Sequence, residues 1–203
     1  MRIVLGLLIG LAPFAASAAV IGDASFEDVA AGSYSYRPTG SSWSFLGNSG
    51  LTASPGTFVA DAAPAGGAQA AFIQSGGSQP GEITQTLTGL VAGTTYTFSF
   101  YAAVREGYKA NPIDVSFAGI DLGTVTPTLT TFVLETTASF VALDTFGTLS
   151  FLGTTAGGDV DSAIDLVTLS ARAPDGPSVP EPATLSLLGA GLAGLGVVRR
   201  RAA

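Results

Sequence analysis

The feature that most constrains this chain is a period of two. From Thr94 to Val104, Tyr96, Phe98 and Phe100 alternate with Thr95, Thr97, Ser99 and Tyr101, so one side of the segment is apolar and the other polar or aromatic. That spacing suits a strand with one face in a core and cannot make an amphipathic helix. Pro112 to Ala118 repeats it, with Ile113, Val115 and Phe117 facing in and Asp114 and Ser116 facing out. Further runs stand at Gln69 to Gln74, Glu82 to Leu87, Leu122 to Thr126, Thr131 to Thr136, Ala138 to Leu143, Thr148 to Leu152 and Ala163 to Ser170. Turn-forming stretches such as Gly76-Gly77-Ser78 and Gly157-Gly158-Asp159 separate them. Many short strands without a helix predict an all-β, antiparallel β-sandwich, most economically a jelly roll.

The two ends read differently. Met1-Arg2, an apolar stretch from Ile3 to Phe14 and Ala16-Ser17-Ala18 form a secretory signal peptide over residues 1–18. At the other end, Val179-Pro180-Glu181-Pro182 precedes an apolar run from Ala183 to Val198 and the cluster Arg199, Arg200, Arg201. That run of sixteen residues makes about 24 Å of helix, a little short of a bilayer core. The arginines set the orientation, with the main domain outside. An ordinary tail anchor is the plainer reading, but it does not need Pro-Glu-Pro and runs longer. The ordered combination resembles the PEP-CTERM sorting signal of Gram-negative, biofilm-forming bacteria. The resemblance implies an exosortase-type sorting protease as partner, transient anchoring in the inner membrane through a C-terminal transmembrane helix, and release to the cell envelope or extracellular matrix. Residues 19–171 are then the sandwich, 172–178 a Pro/Gly linker and 179–203 the sorting signal.

Without its ends the chain is strongly acidic. Over residues 19–178, Arg37, Arg105, Lys109 and Arg172 stand against fourteen acids, a net charge of −10. Such a domain repels nucleic acid and anionic lipid, and neither is expected as a partner. Cysteine and histidine are both absent. No disulfide holds the fold, and Ser-His-Asp catalysis, Cys-His catalysis and nitrogen- or sulfur-ligated zinc are excluded. Paired carboxylates remain the one catalytic chemistry open, that of a glycosidase.

Three stretches carry a second resemblance: Ala24-Ser25-Phe26-Glu27-Asp28 at the start, Leu87-Thr88-Gly89-Leu90-Val91-Ala92-Gly93-Thr94-Thr95-Tyr96-Thr97-Phe98-Ser99-Phe100-Tyr101-Ala102 in the middle, and Ser162-Ala163-Ile164-Asp165-Leu166-Val167-Thr168-Leu169 at the end. Together they resemble the galactose-binding-like jelly rolls that include carbohydrate-binding modules. The resemblance implies one structural calcium ion where the first and last strands meet, mapped onto Glu27 and Asp165. Leu166 stands where the family pattern has a second Asp, and solvated strand-end carboxylates are the alternative. Gly157-Gly158-Asp159-Val160-Asp161 also alternates acids in a glycine loop, which reads as a turn rather than a cation loop because a third acid at the expected step is missing.

Glycan recognition needs aromatic plates for the apolar sugar face and polar groups for the hydroxyls. The Arg105 to Pro112 loop offers Arg105, Tyr108 and Asn111 beside Tyr101, with Gln74, Trp43, Tyr34 and Tyr36 as further candidates. Trp43 alternates with Phe45 and reads more readily as core, whereas Tyr34 and Tyr36 read equally as exposed or buried. The expectation is an exported, non-catalytic surface or biofilm-matrix protein whose jelly roll binds exopolysaccharide or another glycan. The alternatives are a structural matrix protein without a specific ligand, and a carboxylate-based glycosidase.

Overall fold

The computed structural model describes residues 19–76 and 79–172. The signal peptide, the linker beyond Arg172 and the whole sorting signal, including Pro180, Glu181, Pro182 and Arg199 to Arg201, lie outside the described residues.

Twelve strands build two antiparallel sheets. They are β1 (Tyr34–Tyr36), β2 (Ser44–Leu46), β3 (Ser49–Ala53), β4 (Gln69–Ser75), β5 (Glu82–Thr88), β6 (Thr95–Val104), β7 (Ile113–Phe117), β8 (Ile120–Val125), β9 (Val133–Thr136), β10 (Phe140–Val141), β11 (Phe146–Gly153) and β12 (Val160–Arg172). The helical content of the described residues is a single 3-10 turn at Pro64–Gly66. The larger sheet runs β1-β3-β4-β12-β6, with β9 and β10 both pairing with β6, and the smaller runs β2-β5-β11-β7-β8. From β4 onward the chain crosses between sheets at every connection except β7 to β8 and β9 to β10. Four strands, β4-β12-β6-β9, thus face another four, β5-β11-β7-β8, and this interleaving is a jelly roll.

Alternation does the work expected of it. In β6 every second residue is buried, and Tyr96, Phe98, Phe100 and Ala102 join the core while Thr95, Thr97, Ser99 and Tyr101 turn outward. Ile113, Val115 and Phe117 of β7 meet them from the smaller sheet. Aromatic rings fill the space between the sheets: Phe98, Phe117 and Phe140 lie 4.7 to 5.6 Å apart, centroid to centroid, and Phe26 and Trp43 pack at 5.0 Å. Each fully buried ring of this kind stabilises the fold by roughly 1.5–3 kcal/mol relative to exposure. With no disulfide available, this packing carries the stability.

Several strand limits differ from expectation. β1, β2 and β3 arise in a stretch without a strand signal, the expected Ala138 to Leu143 strand shrinks to the pair Phe140–Val141, and β12 keeps Arg172 in register with Thr95. β12 also carries a bulge between Asp165 and Thr168, where Leu166 adopts φ +47° and Val167 N–H donates to the Ala24 carbonyl at 2.8 Å. That contact joins the last strand to the start of the domain.

Candidate functional site

The outer face of the larger sheet, turned away from the core, gathers the chemistry. Gln74 of β4 is the register partner of Asp161 of β12, and Ser162 pairs with Val104 at the end of β6. Directly opposed residues of an antiparallel pair point to the same side, so Gln74, Asp161 and Arg105 form one row across three strands. The next row on the same face is Tyr36, Gly50, Phe72, Ala163 and Ala103. Gly50 is required there, since a Cβ at that position would lie 2.9 Å from the Phe72 ring.

Aromatic side chains wall the row. Phe58, from the loop after β3, stacks on Phe72 at 4.0 Å and 6°, and Tyr36 meets Phe72 edge-on at 4.9 Å. Tyr34 meets Phe58 edge-on at 5.4 Å. The loop is held by its own contacts: Asp61 accepts the Phe132 N–H at 2.8 Å, which ties it to the segment before β9. Arg105 leaves β6 into a turn in which the Tyr108 N–H donates to the Arg105 carbonyl, with Gly107 at φ +79°. A positive φ at the third turn position favours glycine, and the turn folds Tyr108 back over Arg105. The guanidinium then lies 3.9 Å from the Tyr108 ring centroid and 4.7 Å from that of Phe58. Such contacts contribute about 0.5–2 kcal/mol each.

A string of polar contacts crosses the same area. The Tyr36 hydroxyl donates to Gln74 Oε1, Gln74 Nε2 donates to Asp159 Oδ1 at 2.7 Å, and Arg105 lies 4.0 Å from the same carboxylate oxygen. Asp161 stands apart. It is fully buried, and neither carboxylate oxygen has a hydrogen-bond partner among the described residues. Burial holds its carboxyl well above the ordinary range; Arg105 opposes that shift and Asp159 adds to it. Burial, and next the nearby Asp161, also raise the Tyr36 hydroxyl.

Among the expected ligand residues, Gln74, Arg105 and Tyr108 meet here. Tyr101 shares the face but stands four residues before Arg105, about 13 Å back along the strand. Two expectations are corrected. Trp43 is 2% exposed, packs in the core against Phe26 and Phe151, and donates its ring N–H to the Asp23 carbonyl at 2.9 Å. Asn111 is fully buried and works as a clamp: its side chain donates to the Ile73 carbonyl at 3.3 Å and accepts the Thr155 N–H at 3.1 Å. An apolar and an amide side chain near a loop look alike in sequence whether they face out or in; packing decided both. Sequence reasoning left Tyr36 open between exposed and buried, and it is half-exposed here; Phe58 and Asp161 it missed. The alternation Asp159-Val160-Asp161 read as one turn, but only Gly157 and Gly158 make the turn, at φ +82° and +83°, and Asp161 already belongs to β12.

Away from this row, Glu27 Oε1 accepts the Ala68 and Gln69 N–H groups at 2.7 and 2.9 Å. Asp165 is fully buried; its Oδ1 accepts the Leu166 N–H and its Oδ2 has no partner among the described residues. Burial pushes the Asp165 carboxyl up to about 7, against the pull of the Leu166 N–H and with smaller contributions from Glu27 and Asp23. Among the described residues no three His, Cys, Asp or Glu side chains group closely enough to hold a metal ion on their own. A further hollow, lined by Phe117, Ile120, Phe140, Leu143 and Phe146, sits near the start of β6, roughly 30 Å from Arg105, and is almost wholly apolar.

Residues 178–201 match the PEP-CTERM protein-sorting motif. Among the described residues no helix is long and apolar enough to cross a membrane, and Ala183 to Val198 lies outside them. No curated protein matches the chain by sequence. Among solved structures, the fold is similar to a cyclase from Fischerella sp. TAU in complex with 4-(1H-indol-3-yl)butan-2-one, at TM-score 0.60 and 17% identity over 77% of this chain and 98% of that one. The CBM22-1 xylan-binding domain from Paenibacillus barcinonensis Xyn10C aligns at TM-score 0.49 and 16% identity, over 74% and 95%. The carbohydrate-binding module CBM36 in complex with calcium and xylotriose aligns at TM-score 0.46 and 15% identity, over 62% and 92%.

Proposed function

We propose that the chain is an exported, non-catalytic glycan-binding protein whose ligand lies on the outer face of the larger sheet. The observation that carries this reading is the Arg105 guanidinium held between Phe58 and Tyr108, with Tyr34, Tyr36 and Tyr108 each 39–46% exposed around it. Half-exposed rings give plates for the apolar face of a sugar, and Gln74, Asp159 and Arg105 give hydroxyl partners already fixed in place. Fixing them in advance lowers the ordering cost of binding. On this reading the sorting motif delivers residues 19–171 to the envelope or biofilm matrix after an exosortase-type protease removes the tail from the inner membrane.

Glu27, near the start of the domain, and Asp165, in its last strand, offer part of the oxygen set of a structural calcium ion. Glu27 and Asp165 would hold it, using the unpartnered Asp165 Oδ2, and oxygen donors are what this hard cation takes. It would supply charge neutralisation between the first and last parts of the chain.

Binding of a polysaccharide panel by the purified protein tests the site. Arg105→Ala and Tyr108→Ala should each lower affinity about tenfold or more, equivalent to about 1.4 kcal/mol, with the fold intact. Unchanged binding in both variants would overturn the site, and no binding by the wild type would leave the purely structural role. Because a protein of similar fold is a cyclase, the assay includes product analysis; the expected turnover is none.

A further inference from the structure

Asp161 is a group that recognition of neutral sugar hydroxyls does not require. A buried carboxyl with no donor on either oxygen is a costly arrangement for a fold to keep. Its neighbours are already engaged. Gln74 is held between Tyr36 and Asp159, and Arg105 lies flat between two rings with its charge turned toward Asp159. Lys109 meets β12 through its backbone, its carbonyl accepting the Asp161 N–H at 3.0 Å. The row therefore holds two carboxyls against one guanidinium, within a domain of net charge −10. The Arg105 charge acts on Asp161, but neither Asp161 oxygen has a hydrogen-bond donor among the described residues.

We propose that this site takes an amine-bearing glycan, a polysaccharide with free hexosamine amino groups, its ammonium placed at exposed Asp159 over the buried Asp161 and its ring against Tyr36 and Tyr108. The proposal rests on the glycan-binding reading and adds the class of glycan. An ammonium brings three donors and one positive charge, which is what an unpartnered carboxyl and its acidic neighbour complement. The groups facing Asp161 are Gln74 from β4, Arg105 after β6, Asp159 before β12 and Tyr36 from β1. Burial raises the Asp161 carboxyl above the ordinary range, and an arriving ammonium favours its ionised form, so binding is expected to release protons to the buffer.

Calorimetry on the full-length protein tests this with two probes, a glucosamine hexamer and its fully N-acetylated counterpart, at about pH 6, where the amines are charged. The expected result is about tenfold tighter binding of the free-amine hexamer, with up to about one proton released, read from the dependence of heat on buffer. Asp161→Asn should abolish both the preference and the proton release while leaving the N-acetylated hexamer bound. Should that variant fail to fold, Asp159→Asn, at an exposed position, is expected to shrink the preference instead. Equal affinity for the two hexamers, or a preference that survives Asp161→Asn, overturns the proposal. Binding of the N-acetylated hexamer that is sensitive to Tyr108→Ala and shows no amine preference overturns it while the glycan reading stands. Absence of binding by both hexamers also overturns it, and the polysaccharide panel then decides the glycan reading by itself.

Discussion

At the scale of residues, two buried acids make stability depend on pH in an unusual direction. Most carboxylates favour the folded state more as pH rises, but Asp165 has its folded pKa raised to about 7 from 3.8, and Asp161 is raised as well. The folded protein thus holds protons that the unfolded chain has already lost. The stabilisation is full below about pH 4 and is lost as pH rises through about 7. In the presence of a chelator, urea unfolding midpoints should therefore fall between pH 5 and pH 8, and Asp165→Asn should flatten the fall. Calcium should reverse the trend by favouring the ionised carboxylate; a midpoint that rises with pH in chelator would contradict the burial of these two groups. Gly50 offers a second residue-level test. Gly50→Ala places a Cβ against the Ser35 carbonyl and 2.9 Å from the Phe72 ring, and should cost about 1–3 kcal/mol in thermal unfolding while weakening the aromatic wall.

Elements show how far local pattern reaches. β4 to β8, β11 and β12 were legible because each alternates or runs apolar for four or more residues between turn signals. β1 and β2 have three residues each, too few to display a period. β3 fails for another reason: Ser49, Gly50, Leu51 and Thr52 are all buried, since the loop after it covers the outer face, and alternation disappears when both faces are covered. In the site, Gln74, Arg105 and Tyr108 were visible from side-chain chemistry alone. The row that joins Gln74, Asp161 and Arg105 was not, because register between β4, β12 and β6 is a long-range property that no local window contains. β11 gives the element's own test. Gly147 pairs with Leu87, and an added Cβ would fall on the Phe117 ring, which cannot retreat because Phe98 and Phe140 hold it from the other sides. Gly147→Ala should lower stability by about 1–3 kcal/mol, measured by calorimetric melting.

For the whole molecule, processing and assembly set the expectations. Intact mass of the protein recovered from its native host should lack residues 1–18 and Arg199 to Arg201, and recovery of the full-length chain in the membrane fraction would contradict the sorting reading. On the glycan-binding reading, weak single-site binding is made useful by many copies, so a clustered form should bind polysaccharide about a hundredfold more tightly than a monomer, compared by surface retention. The strand order adds a matter of timing. β12 is the last strand made, yet it fills the centre of the larger sheet, with β4 on one side and β6 on the other. A chain threaded N-terminus first leaves that sheet in two halves, with Phe72 and Phe100 on separate pieces, until its closing thirteen residues arrive. The sorting motif begins six residues after Arg172. On the sorting reading, completion of the domain and arrival of its tail signal are nearly one event, and a chain truncated before β12 is expected to be cut by protease more readily than the whole domain.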